Sequence, residues 1–158
     1  AAQLALRMVK GESFALISDT GTPVFADPGA ALIHHAVDYG VETVPVPGPS
    51  SLMAALSVLD FKLEKYVFGG FLSRVPEQRR KELQRLRGLQ MPVVLLDTPY
   101  RLNALLEDIA RVFGQNQHLT LAFDLTLPGE RIYRGTPGEI KAMVGQRKGE
   151  YVLIIHAG

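Results

Sequence analysis

The stretches Ser18-Asp-Thr-Gly-Thr-Pro23 and Pro45-Val-Pro-Gly-Pro-Ser-Ser51 decide the fold of this chain. Each follows a short apolar run, at residues 14–17 and 41–44, and each leads towards a helical pattern. Apolar runs that alternate with helical patterns are typical of βαβ units and predict a parallel sheet. Small ligands bind such sheets beyond the carboxyl ends of the strands, where both stretches fall. The sequence therefore predicts an α/β fold with a small-molecule pocket built mainly from main chain.

Composition excludes several classes of protein. The 158 residues are 47% apolar and 21% charged, with a net charge of +1, which is typical of a chain that folds around a core. The sequence has no cysteine, so thiolate catalysis, disulfides and zinc–cysteine sites are excluded. No run reaches the ~18–20 apolar residues of a membrane helix. We expect a cytoplasmic protein without membrane contact.

The domain organisation follows from the order of the predicted elements. Residues 1–10 have the pattern of a helix without a capping residue before it, and only two strand candidates, at 13–18 and 41–46, precede a change near Leu59. Two strands make a poor independent sheet. We therefore expect the later part of a longer protein, with residues 1–59 forming the remainder of an N-terminal α/β domain and residues 60–158 a C-terminal α/β domain.

Helices in the first of these domains are predicted from their start and stop signals. Asp27-Pro-Gly29 predicts the start of a helix that runs to about Tyr39, with Gly40 as its C-terminal cap. Pro49, at a first-turn position, predicts a second helix to about Val58.

The second domain has a denser pattern of elements. Capping signals at Thr98-Pro99 and Thr136-Pro-Gly-Glu139 predict the starts of two helices, and a charged helix is predicted over residues 76–89. The apolar runs predict strands at residues 66–68, 92–96, 119–127, 131–134 and 151–155.

Two alternative kinds of site are excluded by spacing. The first stretch contains neither G-x-G-x-x-G nor G-x-x-x-x-G-K-[ST], so both phosphate-loop fingerprints fail. His34 and His35 are adjacent and do not share a helix face, and His118 and His156 lack matching partners. We expect no metal site.

The motifs resemble those of a known family. Ser18-Asp-Thr-Gly-Thr-Pro23, Asp27-Pro-Gly29, Val46-Pro-Gly-Pro-Ser50 and Gly70-Phe-Leu72 occur in the same order and spacing in the tetrapyrrole methylase superfamily. Within it they look most like the ribosomal RNA small subunit methyltransferase I branch. Further similar motifs, from Thr98-Pro-Tyr-Arg101 to the C-terminal strand, extend the resemblance over nearly the whole chain.

The resemblance implies a class III methyltransferase fold, with two α/β domains, S-adenosylmethionine bound in the cleft between them, and a homodimer. It implies an enzyme that methylates a ribose 2′-oxygen of small-subunit ribosomal RNA. It also implies a set of cofactor-binding residues, which are Asp19, Gly21, Thr22, Pro23, Phe25, Ser50, Ser51, Leu96 and Asp97.

The chain departs from the pattern of the branch in three places. The family's N-terminal strand and its glycine-containing loop are absent from this sequence. Leu96-Asp-Thr-Pro-Tyr-Arg101 stands where members often have Tyr-Glu-Ser-Pro-His-Arg. Asp124-Leu-Thr-Leu127, followed by the single Glu130, stands where they often have Glu-Leu-Thr-Lys and further acidic residues.

Methyl transfer to a ribose hydroxyl benefits from a nearby base that takes the hydroxyl proton. Three carboxylates in segments expected to border the cleft are candidates, namely Glu130, Asp97 and Asp124. Each also has a structural interpretation, respectively as a turn residue, a helix-start partner and a strand hydrogen-bonder.

Basic residues are concentrated in residues 74–88, which hold six basic and two acidic side chains. Such a face suits contact with RNA phosphates, although a solvated helix would have the same composition. The predicted RNA-binding residues are Arg79, Arg80, Arg85 and Arg101, with Tyr100 able to stack on a base. Arg101 could instead pair with Glu107 or Asp108.

Two other functions remain open at this point. One is a tetrapyrrole C-methyltransferase that acts on a corrin or sirohaem precursor, for which an uncharged concave cleft would be expected. The other is a relative that binds RNA or a partner without catalysis.

Overall fold

The computed structural model describes residues 1–19 and 21–158, and the chain divides into two compact units, residues 1–51 and 52–158. The α/β class predicted from the sequence is confirmed. The predicted domain limits, residues 1–59 and 60–158, stay a prediction.

The first unit contains helices α1 (Ala2–Val9) and α2 (Ala30–Asp38). The predicted start of α2 after Gly29 is confirmed, and Gly40 follows the helix in the left-handed region, at φ +69°. Glycine suits that position because it has no Cβ to clash with the preceding carbonyl. Ala36 is the buried residue of α2.

The predicted strands at residues 13–18 and 41–46 are wrong for this structure. No residue of the described part of the first unit lies in a strand, and the apolar side chains of these segments are largely exposed, with Ile17 and Val46 each at 83%. A strand requires ladder hydrogen bonds to a neighbour, and these segments have no partner strand within residues 1–19 and 21–51.

The second unit is built on one five-stranded sheet. Its strands are β1 (Val67–Gly70), β2 (Val93–Asp97), β3 (Leu119–Phe123), β4 (Arg131–Gly135) and β5 (Tyr151–Ile155), in the spatial order β1-β2-β5-β3-β4. Only the β1–β2 pair of the described strands is parallel, and the other three pairs are antiparallel. The predicted parallel sheet is therefore corrected to a mixed one, because β5 enters between β2 and β3 in the opposite direction.

Four helices accompany this sheet, α3 (Ser51–Leu56), α4 (Pro76–Gly88), α5 (Leu102–Phe113) and α6 (Pro137–Val144). The predicted capping box of α6 is confirmed, since Glu139 N–H donates to Thr136 Oγ1 at 3.3 Å and Thr136 N–H donates to Glu139 Oε2 at 2.8 Å. The predicted start of α5 is wrong. Thr98 O accepts the Arg101 N–H at 3.1 Å, which closes a turn, and the helix begins at Leu102.

The sheet separates two apolar clusters. Alternate residues along the strands, such as Leu95, Leu121 and Leu153, pack with α4, α5 and α6, whereas Val94 and Ile154 pack with α3 on the other face. This alternation follows from the period of two in a strand. All five residues of β5 are buried.

A buried ion pair joins α4 to α5. Arg79 and Asp108 are 5% and 3% exposed, and Arg79 donates to Asp108 Oδ2 from Nε at 2.7 Å and from Nη2 at 2.6 Å. Arg80 reaches Asp108 Oδ1 at 3.3 Å. Asp108 therefore accepts from both arginines and fixes the two helices against each other.

No helix among residues 1–19 and 21–158 has both the length and the apolar character that crossing a membrane requires.

Loss of the Asp108 carboxylate should destabilise the fold. Asp108→Asn leaves the Arg79 guanidinium buried without its counter-charge, and we expect the free energy of unfolding to fall by about 3–5 kcal/mol. Urea unfolding followed by far-UV circular dichroism measures this. Lys81→Gln is the control, because it removes an exposed pair between Lys81 and Glu77 on the same helix and should cost less than about 1 kcal/mol. Equal effects of the two substitutions would contradict a stabilising role of the buried pair.

Candidate functional site

The two stretches that decided the predicted fold meet in the first unit. Thr22 N–H and Thr22 Oγ1 both donate to Pro49 O, each at 3.1 Å. Gly21 lies against the same carbonyl, and a Cβ at this position would be 2.7 Å from Pro49 O. The contact therefore requires glycine at position 21. The predicted small-molecule pocket at these loops stays a prediction.

The first loop has a strained backbone beyond Pro23. Val24 and Ala26 lie in the left-handed region at φ +73° and +58°, and Phe25 N–H donates to Pro23 O at 2.9 Å. Non-glycine residues adopt this region rarely, and such strain is frequent at ligand sites.

The first-unit cofactor candidates lie on or beside this loop pair. Thr22 and Asp19 are exposed, Phe25 is half-exposed, and Ser50 is partly buried at the end of the second loop. Ser51 is the first residue of α3. Thr20, inside the first stretch, lies outside the described residues.

The remaining candidates lie in the second unit, at one edge of the sheet. Because β1 is parallel to β2, and because β2 and β3 are both antiparallel to β5, the carboxyl ends of β1, β2 and β3 share this edge. The residues that follow these ends are Phe71, Thr98 and Asp124. We call this the carboxyl edge, defined by residues 71–74, 97–101, 124–130 and 147–150.

Asp97 ends β2 inside the protein. Its Oδ1 accepts the Thr98 N–H at 2.7 Å and lies 3.2 Å from Arg101 Nη1. Its Oδ2 is buried without a hydrogen-bond partner among the described residues, as is the hydroxyl of Tyr151, its register partner on β5. Burial raises the pKa of Asp97, while the Thr98 N–H and the Arg101 charge oppose that shift. A role of Asp97 as a base or as a cofactor ligand stays a prediction, and it would require the end of β2 to open.

Arg101 is occupied by internal contacts. Its Nη2 donates to Leu72 O at 3.0 Å and to Ser73 O at 2.8 Å, while Nη1 faces Asp97. The predicted alternative partners were Glu107 and Asp108, but Asp97 is the carboxylate that it pairs with. Arg101 thus fastens the segment after β1 to the end of β2, which leaves little of its guanidinium for RNA.

The loop after β3 holds the other two carboxylate candidates. Asp124 and Thr126 adopt left-handed φ of +49° and +68°, and Glu130 Oε2 accepts the Thr126 N–H at 2.6 Å. Gly149 faces the Asp124 carboxylate so closely that a Cβ there would collide with it. Glu130 thus acts as the turn residue that the sequence indicated, and the choice of a base between these carboxylates stays a prediction.

The basic segment at residues 74–88 divides into buried and exposed cations. Arg79 is buried on Asp108, Arg80 is partly buried on the same carboxylate, and Arg87 donates to Val112 O at 2.7 Å. Arg74 and Arg85 are exposed and make no ion pair among the described residues. The predicted RNA contact of Arg79 conflicts with its burial, whereas Arg85 is placed where a phosphate could reach it.

One feature of the carboxyl edge could not be found from the sequence. Tyr100 is 80% exposed, and Lys148 Nζ lies 5.2 Å from the centroid of its ring. The two residues are distant in sequence and become neighbours because Asp97 on β2 pairs with Tyr151 on β5. The β2–β5 register brings the two residues together, and no local sequence signal predicts that Lys148 lies beside Tyr100.

Within the described part of the chain, no group of three or more histidine, aspartate or glutamate side chains could hold a metal ion.

Comparison with known proteins gives the family. A model of the family described as Tetrapyrrole (Corrin/Porphyrin) Methylases matches residues 1–141. The ribosomal RNA small subunit methyltransferase I of Xylella fastidiosa is 37% identical over 159 aligned residues, which cover 98% of this chain and 58% of that protein. The protein of the same name from Synechocystis is 36% identical, over 97% of this chain and 56% of that protein. The chain therefore spans somewhat more than half the length of these relatives.

Solved structures share the fold at lower identity. The methyltransferase CobJ superposes with a TM-score of 0.69 at 16% identity, over 99% of this chain and 70% of that one. A uroporphyrin-III C-methyl transferase from Thermus thermophilus, complexed with S-adenyl homocysteine, gives 0.65 at 17% identity, over 98% and 71%. The match of residues 1–141 to the family model and the agreement of the folds lead to one conclusion: this chain belongs to the tetrapyrrole methylase family.

Proposed function

We propose that the chain is part of an S-adenosylmethionine-dependent methyltransferase that methylates a ribose 2′-oxygen of small-subunit ribosomal RNA. The observation that carries the proposal is the identity of 34–37% to proteins named ribosomal RNA small subunit methyltransferase I over 96–98% of this chain. The homodimer and the cytoplasmic location stay predictions that accompany it.

The first-unit loops fit this cofactor. The close approach of Gly21 to Pro49 O brings the main chains of the two loops together, and the half-exposed Phe25 ring suits a flat adenine. Thr22, Pro23, Phe25, Ser50 and Ser51 would hold the cofactor, with Asp19 and Gly21 shaping the loop, and Leu96 and Asp97 remain predicted contacts from the second unit. When bound, S-adenosylmethionine supplies a methyl group activated by the sulfonium sulfur.

The residues of this chain have two tasks in such a reaction. They orient the acceptor, since correct alignment of reactants supplies up to ~7–11 kcal/mol of a barrier. They also accept the proton of the ribose hydroxyl, which is a poor nucleophile until that proton leaves. Of the three candidate carboxylates, Glu130 and Asp124 are not fully buried. Asp97 is the third candidate, and its buried carboxylate is paired with Arg101.

Charge and aromatic exposure support RNA as the substrate. Arg74 and Arg85 present exposed guanidinium groups without ion pairs among the described residues, which suits phosphate contact. The exposed Tyr100 ring beside Lys148 offers a stacking surface next to a cation. A tetrapyrrole substrate is the alternative, supported by structural neighbours at 16–17% identity. The relatives with the RNA-related name are about twice as similar in sequence.

The cofactor proposal predicts that Gly21→Ala weakens binding. The added Cβ would meet Pro49 O at 2.7 Å and would force the loops apart, so we expect the affinity for S-adenosylhomocysteine to fall at least tenfold in titration calorimetry. Gly11→Ala is the matched control, because Gly11 has a similar φ of +98° with no atom within 4 Å. Unchanged affinity in a folded Gly21→Ala protein would remove these loops from the cofactor site.

The substrate proposal predicts salt-dependent binding of ribosomal RNA. Arg85→Gln should flatten the slope of log affinity against log salt concentration by about 0.7–0.9, since one phosphate contact is lost. Arg111→Gln, which removes an exposed charge from α5, should leave the slope unchanged. Filter binding at several salt concentrations measures both variants. If both substitutions change the slope equally, α4 is a solvated helix without a specific RNA contact. Methylation of a tetrapyrrole in place of RNA would refute the proposal that RNA is the substrate.

A further inference from the structure

A cavity of about 720 Å³ opens at the edge of the sheet opposite the carboxyl edge. Pro92 and His118 precede β2 and β3, and His156 follows β5, so that the three residues converge there. The strands separate this cavity from the carboxyl edge by roughly 15 Å. We call it the histidine cavity, lined by residues 60–65, 92, 118 and 156–157. It is an open depression, so a ligand bound there would keep part of its surface in contact with solvent.

The floor of the histidine cavity is aromatic. The Phe61 and His156 rings lie 4.6 Å apart between centroids at an interplanar angle of 52°, and the His118 ring lies 6.3 Å from that of His156 at an angle of 28°. Three rings at these distances and angles give the cavity an aromatic lining, which suits contact with a flat heterocycle.

Hydrogen bonds order part of this floor. His156 Nε2 lies 2.9 Å from Oγ1 of Thr120, a residue that is fully buried. The Gln117 side-chain amide donates to the carbonyls of both His118 and His156, each at 3.0 Å. The His156 ring and the main chain at His118 and His156 are therefore held in place before a ligand arrives, which lowers the entropic cost of binding. Burial lowers the pKa of His156, and this favours the neutral imidazole.

Two lysines, Lys62 and Lys65, line the histidine cavity, and they differ in whether an acidic side chain already neutralises their charge. Glu64 is paired with Lys62 at 2.6 Å, and Asp60 is paired with Arg134 at 3.7 Å. Lys65 makes no ion pair among the described residues, and its side chain is exposed. The rim thus presents one cation whose charge is not neutralised, beside an aromatic floor.

We infer that the histidine cavity is a second binding site, distinct from the proposed methyl-transfer site, that takes a nucleobase carrying a phosphate. The base contacts the rings of Phe61, His118 and His156, and the phosphate pairs with Lys65. A nucleotide of a single-stranded RNA and a free mononucleotide present the same chemistry. The inference stands independently of the proposed methyltransferase activity.

Histidine resonances test the site directly. The chain has four histidines, and two of them, His34 and His35, lie on α2 in the first unit and serve as internal controls. Titration with AMP should shift the C2–H proton resonances of His118 and His156 and leave those of His34 and His35 in place. Ribose 5-phosphate, which lacks the base, should cause little shift.

Two variants complete the test. Phe61→Leu should weaken AMP binding by about fivefold to a hundredfold, because a base–aromatic contact is lost. Lys65→Gln should weaken AMP more than adenosine. Both variants should keep the wild-type resonances of His34 and His35. Equal shifts of all four histidines, no shift at all, or a Phe61→Leu protein with wild-type affinity would each overturn the proposal.

A four-nucleotide RNA distinguishes the two sources of the ligand. Binding at least tenfold tighter than that of AMP, with shifts at the same two histidines, would assign the histidine cavity to RNA. Equal affinities would assign it to free nucleotides.

Discussion

The pairing of β5 with β2 on one side and β3 on the other is the interaction on which the second unit depends. All five residues of this strand are buried, and its side chains enter the apolar clusters on both faces of the sheet. Because β5 is antiparallel to both neighbours, it aligns the carboxyl ends of β2 and β3 at one edge and their amino ends at the other. One strand thus places the carboxylate loops of the carboxyl edge and the rings of the histidine cavity at opposite ends of the sheet.

The arginines show how burial changes the task of one residue type. Arg79 is enclosed with Asp108 and connects two helices, whereas Arg101 donates to two carbonyls and connects the segment after β1 to Asp97. A guanidinium can make several directed hydrogen bonds at once, so it suits both tasks. Arg85, on the same helix as Arg79, faces solvent. A count of basic residues along α4 therefore overstates the charge that a phosphate would meet.

The candidate cofactor loops of the first unit are built differently. They are held by main-chain contacts, above all those of Gly21 and Thr22 with Pro49 O, and not by a sheet. Proline and glycine restrict the loop conformations locally. This explains why the two stretches meet in the structure although the apolar runs before them do not pair as strands.

The sequence by itself determined the local elements and the family. Periodicity and capping signals located α2, α4 and α6, and an apolar run located β5 at residues 151–155, because helix starts and buried strands depend on neighbouring residues. The loop motifs were sufficient for the tetrapyrrole methylase resemblance, which the family match confirms. Tertiary structure alone decided the mixed sheet, the lack of strands at residues 13–18 and 41–46 in the described part of the first unit, the burial of Arg79 and the contact of Lys148 with Tyr100. Each of these depends on which distant segment lies alongside, and neither spacing nor composition along the chain carries that information.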